Sequence, residues 1–390
     1  MATKGFIPTF EIYKGSENIT ARFQDRAVSI TVTLASGRGE QDACDIILDD
    51  REWKIATPRK GDRLQVYLGY EGIGTTFMGN FEVNSINFSF VPKAITVRCT
   101  AASSLNDLKS TVIAAHDDKT VEQILAEAGQ KIGFKADVHS SIADNKVPFL
   151  NQSMSFGALI GRLEQHYDAV AKINDGNVSL TPRAGGFSVS GFSLPTYVLG
   201  PEAFADLNVM VDAASEYAQT SASYMDKTTK KIVWLDEKSK LSDLSTDAKF
   251  KIGQQFNSEG EARKAAESTQ AQLDRATGKI SGRFSEGDPW CRDGQRIVVT
   301  NTRDGIDGSY LLDVVVHSYT KSGALTTSFS GTAGVNGLAE EYQEGNNSSE
   351  FVVLPPGMVF GQVLPAPKNT LENPFNSVPS MVGQPAPILE

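Results

Sequence analysis

The sequence is poor in the residues that most reaction chemistry needs. There are four histidines and three cysteines in 390 residues. Cys44, Cys99 and Cys291 are far apart and odd in number, which excludes a disulfide framework and a CxxC-type zinc site. No run approaches the ~18 apolar residues of a spanning helix, so no membrane insertion is expected. The first residues, MATKGFIPTFEIYKG, lack the apolar core of a signal peptide, so synthesis in a cytoplasm is expected. Basic charge is also short. Thirty-seven Lys and Arg face 47 Asp and Glu, for a net charge of −10, which disfavours tight phosphate binding. GxSxG, HExxH and GxxxxGK[ST] are all missing. No cofactor, metal or catalytic residue is assigned, and the chain is read as a non-enzyme.

What is present is β-sequence. Over residues 9–101, FEIYKGSENI, AVSITVTLAS, CDIILDD, RLQVYLGY, TTFMGNFEVNSINFSF and KAITVRCTA are rich in Val, Ile, Phe and Thr. Gly, Pro, Asp and Asn punctuate them, as in a barrel or sandwich. Leu64, Val66 and Leu68 alternate on one strand face. Residues 102–118 read as a connector.

The middle of the chain changes period. KTVEQILAEAGQKIGF predicts a helix with Thr120 as N-cap, Gln123 closing a capping box, and Val121, Ile124, Leu125 and Ala128 on one face. Phe156, Leu159, Ile160, Leu163 and Tyr167 form a second helical stripe behind an N-cap at Ser155. Asn-Asp-Gly-Asn then turns a hairpin between AVAKI and NVSLTP. His166 and Tyr167 have the composition of an acid–base pair. The favoured reading is structural: Tyr167 ends the stripe, and His166 is a cation favoured by roughly 0.3–1 kcal/mol at the helix C-terminus.

His116-Asp117-Asp118 is likewise read as the approach to a helix N-terminus rather than a metal site. Residues 303–308, RDGIDG, lack the closing Glu of a calcium loop and read as a turn. Beyond residue 184 come strands around DKTTKK, a polar helix capped by Ser258, and a closing set of strands. Residues 351–390 carry eight prolines and isolated apolar residues. That composition builds no core.

Three stretches resemble one family. PRKGDRLQVYLGY is similar to its Pro-x-x-Gly-(Asp/Asn)-x-(Leu/Val) strand. DKTVEQILAEAGQKIGF with NQSMSFGALIGRLEQHYDAVAKINDGNVSLTP is similar to its helix-and-hairpin middle unit. DGQRIVVTNTRDGIDGSYLLDVVVHSYTKSGALTTSFS is similar to its closing segment. The family is the phage late control gene D family, the baseplate hub proteins of contractile tails, related to the hub-like half of type VI secretion spike proteins. Gln152, Met154 and Ser155 depart from its Glu-Ser-Asp pattern, and Gly157 to Ile160 shift its Phe-Leu pair.

The resemblance covers residues 9–333 and implies an α+β, mostly β chain with two tube-like β-barrel or sandwich domains around a small mixed middle domain. The division expected is 1–101, a connector over 102–118, 119–183, 184–334, and an extended Pro-rich tail over 335–390. It further implies a homotrimer in the virion, joining a hexameric tail tube to a trimeric spike and contacting other baseplate proteins and the tape measure protein. DNA passes its channel without specific binding. The tail is expected to bind a neighbouring baseplate subunit through Phe351, Val352, Val353, Leu354, Met358, Phe360, Phe375 and Met381. The competing reading from another class is a carbohydrate-binding or glycan-cleaving β-protein using Trp53, Trp234 and Trp290. A third is the hub-like part of another contractile injection system.

Overall fold

The computed structural model describes residues 7–36, 41–53, 55, 56, 58–101, 111–174, 176–183, 194–241, 246–303 and 306–333. The first module holds β1 (Pro8–Lys14), β2 (Glu17–Asn18), α1 (Thr20–Gln24), β3 (Ala27–Ala35), β4 (Ala43–Asp49), β5 (Arg63–Tyr70), β6 (Gly74–Phe90) and β7 (Lys93–Ala101). These are the strands the alternating Val/Ile/Phe segments predict. Ile12, Ile30, Ile46, Val66, Phe81 and Val97 point into one core and are shut off from water. Each contributes roughly 1.5–3 kcal/mol by burial. Leu64, Val66 and Leu68 are buried on alternate positions of β5, as expected.

The middle module holds β8 (Thr111–Thr120), α2 (Val121–Gln130), β9 (Lys135–Val138), α3 (Ser140–Ala143), β10 (Lys146–Ser155), α4 (Phe156–Tyr167), β11 (Ala169–Asn174) and β12 (Asn177–Pro182). The Thr120–Gln123 capping box forms, each side chain bonding the other's backbone N–H. Ser155 accepts from the Ala158 N–H and caps α4. The two apolar stripes pack on each other and on the β11–β12 hairpin in a second core.

One difference is β8. Residues 111–118, read as connector, are strand, paired antiparallel to β10 from Thr111↔Ser155 to Thr120↔Lys146. The strand opens on the β-branched Thr111-Val112-Ile113, but the charged His116-Asp117-Asp118-Lys119 cuts that signal short. The pairing comes from a partner far along the chain, and only tertiary contact supplies it.

The third module holds β13 (Thr196–Leu199), β14 (Phe204–Val211), β15 (Gln219–Asp226), β16 (Lys231–Lys238), β17 (Lys249–Phe256), α5 (Glu259–Ala276), β18 (Gly278–Phe284), β19 (Arg296–Val299), β20 (Gly308–Thr320) and β21 (Ala324–Ala333). Ser258 caps α5. The helix lays Ala262, Ala265 and Ala266 on a small sheet in the order β16-β15-β17.

The first and third modules share one sheet. Its order is β14-β18-β21-β20-β3-β4-β7-β6-β5-β1-β2, with β13 reaching β20 through β19. The joint is β20 on β3, from Val314↔Ala35 to Thr320↔Ser29. β20 is 13 residues long, and its other half pairs with β19. One strand thus serves both modules, and Leu325 on β21 enters the first module's core. The Phe10 and Tyr319 rings meet at 5.0 Å. The mostly β architecture with few helices is the one the sequence leads to.

Candidate assembly interfaces

Side-chain contacts tie the three modules to one another. Lys172 on β11 reaches out of the middle module. Its Nζ donates to Asp42 Oδ1 of the first module at 2.7 Å and to the Ala35 carbonyl at 2.6 Å, and lies 2.6 Å from Asp293 Oδ2 of the third. Burial pulls the lysine down, but the two carboxylates outweigh it and raise its pKa. Burial pushes the Asp293 carboxyl up, and Lys172 opposes that shift.

A second junction lies at the end of α4. Asp168 takes the left-handed conformation (φ 48°) that terminates the helix. Both of its carboxylate oxygens accept from Arg275 of α5. Arg183, just past β12, donates to Asp313 of β20 at 3.0 Å. Sequence reading missed all of these pairs, because their members are scattered through the chain.

The loop of residues 285–295 is fastened from below. His317 shares one ring nitrogen with Thr327 and the other with the Cys291 carbonyl, both at 3.0 Å. Asp288 accepts from Tyr197 Oη at 2.8 Å. Tyr70 of the first module donates to the Gly287 carbonyl at 2.8 Å. A Cβ on Gly287 would sit 2.3 Å from the Leu325 carbonyl, so only glycine allows this seat.

Cys, His and Asp meet here, yet the arrangement is a fastening. Cys291 offers its carbonyl, and burial pushes its thiol well above the usual range, away from the thiolate a nucleophile requires. Burial, aided by Arg292, drops His317 to about 3. Burial also raises Asp288 to about 6.

His166 differs from expectation. Burial, with Arg162 nearby, lowers it to about 4, so it is neutral at neutral pH and cannot serve as a helix-terminal cation. Its ring packs on Tyr167 at 4.7 Å and Phe256 at 5.6 Å. Tyr167 is buried, the last of its stripe. His116 is buried in the β8–β10 ribbon beside Gln152 at 3.1 Å. Among the described residues no group of three His, Cys, Asp or Glu is placed to hold a metal.

Several exposed surfaces are apolar. At the β6–β7 hairpin, Trp53 packs on Phe90 at 5.3 Å with Lys93 over its ring, and Phe88 and Val91 stand in solvent. The ribbon exposes Ile113 and Phe149, and β16 exposes Ile232 and Trp234. Among the described residues, β14 and β2 end the large sheet, and β16 and β17 end the small one. Such edges and patches suit protein contacts. The expected contact residues Phe351, Val352, Val353, Leu354, Met358, Phe360, Phe375 and Met381 lie outside the described residues.

No family model matches the chain. It is 28% identical over 194 residues to the probable baseplate hub protein of Escherichia phage 186, and 27% identical over 190 residues to that of Escherichia phage P2. The matched stretch is about half of this chain and 49% of each relative. In fold it is similar to the 43 kDa tail protein of prophage MuSo2 from Shewanella oneidensis, with TM-score 0.62 and 14% identity over 85% of this chain and 99% of that one. It is also similar to a tail protein from Neisseria meningitidis MC58, with TM-score 0.59 and 9% identity over 84% of this chain and 96% of that one. The resemblance to phage baseplate hub proteins drawn from three short motifs is therefore found again, in sequence across about half of the chain, on a fold it shares with the two tail proteins.

Proposed function

We propose that the chain is a structural baseplate hub of a contractile tail, three copies of which form an adaptor between a hexameric tube and a trimeric spike. The observation that carries this is the similarity to two probable baseplate hub proteins. The joining of two β-modules by a shared strand supports it, since three such subunits can present six β-modules to a hexameric tube. In this reading residues 1–101 and 184–334 supply the tube-like domains and 119–183 the middle domain. The tail tube, spike, other baseplate proteins and tape measure protein are its partners. The role is structural, without catalysis. Assembly takes place in the host cytoplasm and the site of action is the virion. A net charge of −10 suits a channel wall that repels DNA phosphate. Met358, Phe360, Phe375 and Met381 of the tail add contacts to a neighbouring baseplate subunit.

Cross-linking with mass measurement, on the chain alone and with its cognate spike, tests the reading. Three copies are expected. A chain that stays monomeric with the spike present overturns it.

A further inference from the structure

A cleft of ≈ 180 Å³ lies between the middle and third modules. Phe149 and Leu150 of β10 line it, with Arg162 and His166 of α4 and Ile252 and Phe256 of β17. Among the described residues both strands are unpaired on one side: β10 bonds only to β8, and β17 only to β15. β17 is also irregular here. Between Ser221↔Lys251 and Ser223↔Gln255 it advances four residues while β15 advances two. Bulges of this kind mark sheet rims and functional sites. Phe149 is 49% exposed, a large apolar side chain at the cavity left half open to solvent.

The volume suits one aromatic ring, since a 150 Å³ apolar cavity holds benzene. The flanking edges suit a short extended segment that adds its backbone to a strand. We infer that the cleft is a strand-addition site whose occupant is the chain's own residues 351–354, with Phe351 in the cavity.

Three observations select this occupant. Residues 351–354, FVVL, are an apolar, β-branched run set between a polar stretch and two prolines. Glu350 comes just before Phe351 and would bring an anion to the exposed Arg162. The reach is also sufficient. β21 ends at Ala333, next to Thr332, which pairs with Lys279 just past the C-terminal end of α5. α5 also lines the cleft, through Glu261, Ala265 and Thr269. The distance to cover is therefore within one helix length, about 27 Å. The residues between Ala333 and Phe351 span up to about 60 Å when extended.

The test uses the full chain and its Phe351→Asp variant, compared by amide hydrogen exchange. Exchange in residues 146–155 and 249–256 is expected to quicken about tenfold in the variant, with an unchanged melting temperature because the four cores of the described residues are left intact. A synthetic peptide of residues 346–356 is expected to bind the variant saturably and restore protection, and to bind the wild-type chain far more weakly. Unchanged exchange in the variant overturns the inference. Protection that disappears on dilution overturns it in favour of a second copy's segment. Equal peptide binding to both chains shows an empty cleft and overturns it as well.

Discussion

Lys172 Nζ lies 2.6 Å from Asp293 Oδ2 and 2.7 Å from Asp42 Oδ1, so one side chain ties three modules at one point. Asp293 is nearly buried, with 7% of its side chain exposed. Such a carboxylate is tolerable only while its cation is present.

Lys172→Met should therefore destabilise the chain by about 3–5 kcal/mol, the usual cost of orphaning a buried ion-pair partner. The deficit should depend on pH. Without Lys172 the Asp293 carboxyl moves further above its unfolded value of 3.8, so the variant folds best with Asp293 protonated. Stability is then lost as pH rises. Urea midpoints at pH 5 and pH 8 should show the larger loss at pH 8. Equal midpoints for variant and wild type at both values would remove Lys172 from this role.

Leu159 and Leu163 sit at the centre of the middle core, 0% and 5% exposed. Leu→Ala at either should cost about 2–5 kcal/mol through lost burial and the cavity left behind. His166→Ala removes a half-buried ring lying on Tyr167 and Phe256 and should cost less. Chemical denaturation ranks the three. A His166→Ala loss as large as the leucine losses would contradict the assignment.

Two shielded imidazoles should titrate late. His166 and His317 have folded pKa values of about 4 and about 3, below the ordinary 6.5. As pH falls through 6.5 the unfolded chain takes up protons first, so stability drops between 6.5 and those lower values. Asp288, raised from 3.8 to about 6, acts oppositely between those two values and offsets part of the loss. Site-resolved NMR separates the contributions. Imidazole midpoints near 6.5 in the folded protein would contradict the burial described.

Local signals and distant ones divide the readable from the unreadable. Thr120, Gln123, Ser155 and Ser258 announced their helices because a cap acts within three residues. The stripe from Phe156 to Tyr167 was legible because helical period alone defines a face. β8 was not, since its strand character comes from β10. Nor were Lys172 with Asp293, Arg275 with Asp168, or the seating of Asp288 and His317: nothing in the residues around Lys172 specifies which carboxylates the fold will bring to it. The charge of His166 was misjudged for the same reason. Sequence placed it at a helix end, and the Phe256 ring that helps dry it lies 90 positions away.

The shared strand has a consequence for cooperativity. β20 carries the third module's core residues Tyr310, Leu312 and Val315, and pairs from Val314 to Thr320 with β3 of the first. Leu325 adds a side chain to the first core. Tyr70 and Arg292 cross the same boundary, to Gly287 and to the Phe77 carbonyl. Opening the third module alone would strip β3 of one neighbour and leave a gap at Leu325. Opening the first alone would do the same to β20. Neither module should therefore unfold by itself. Two single-tryptophan variants report on this, one keeping Trp53 in the first module and the other Trp290 in the third, the remaining tryptophans being replaced by Phe. Their fluorescence transitions in urea should coincide in midpoint and slope, as two probes of one cooperative unit do. If Trp53 kept its native signal after Trp290 had lost its own, the two modules would be thermodynamically separate and β20 a simple crossing rather than a common element.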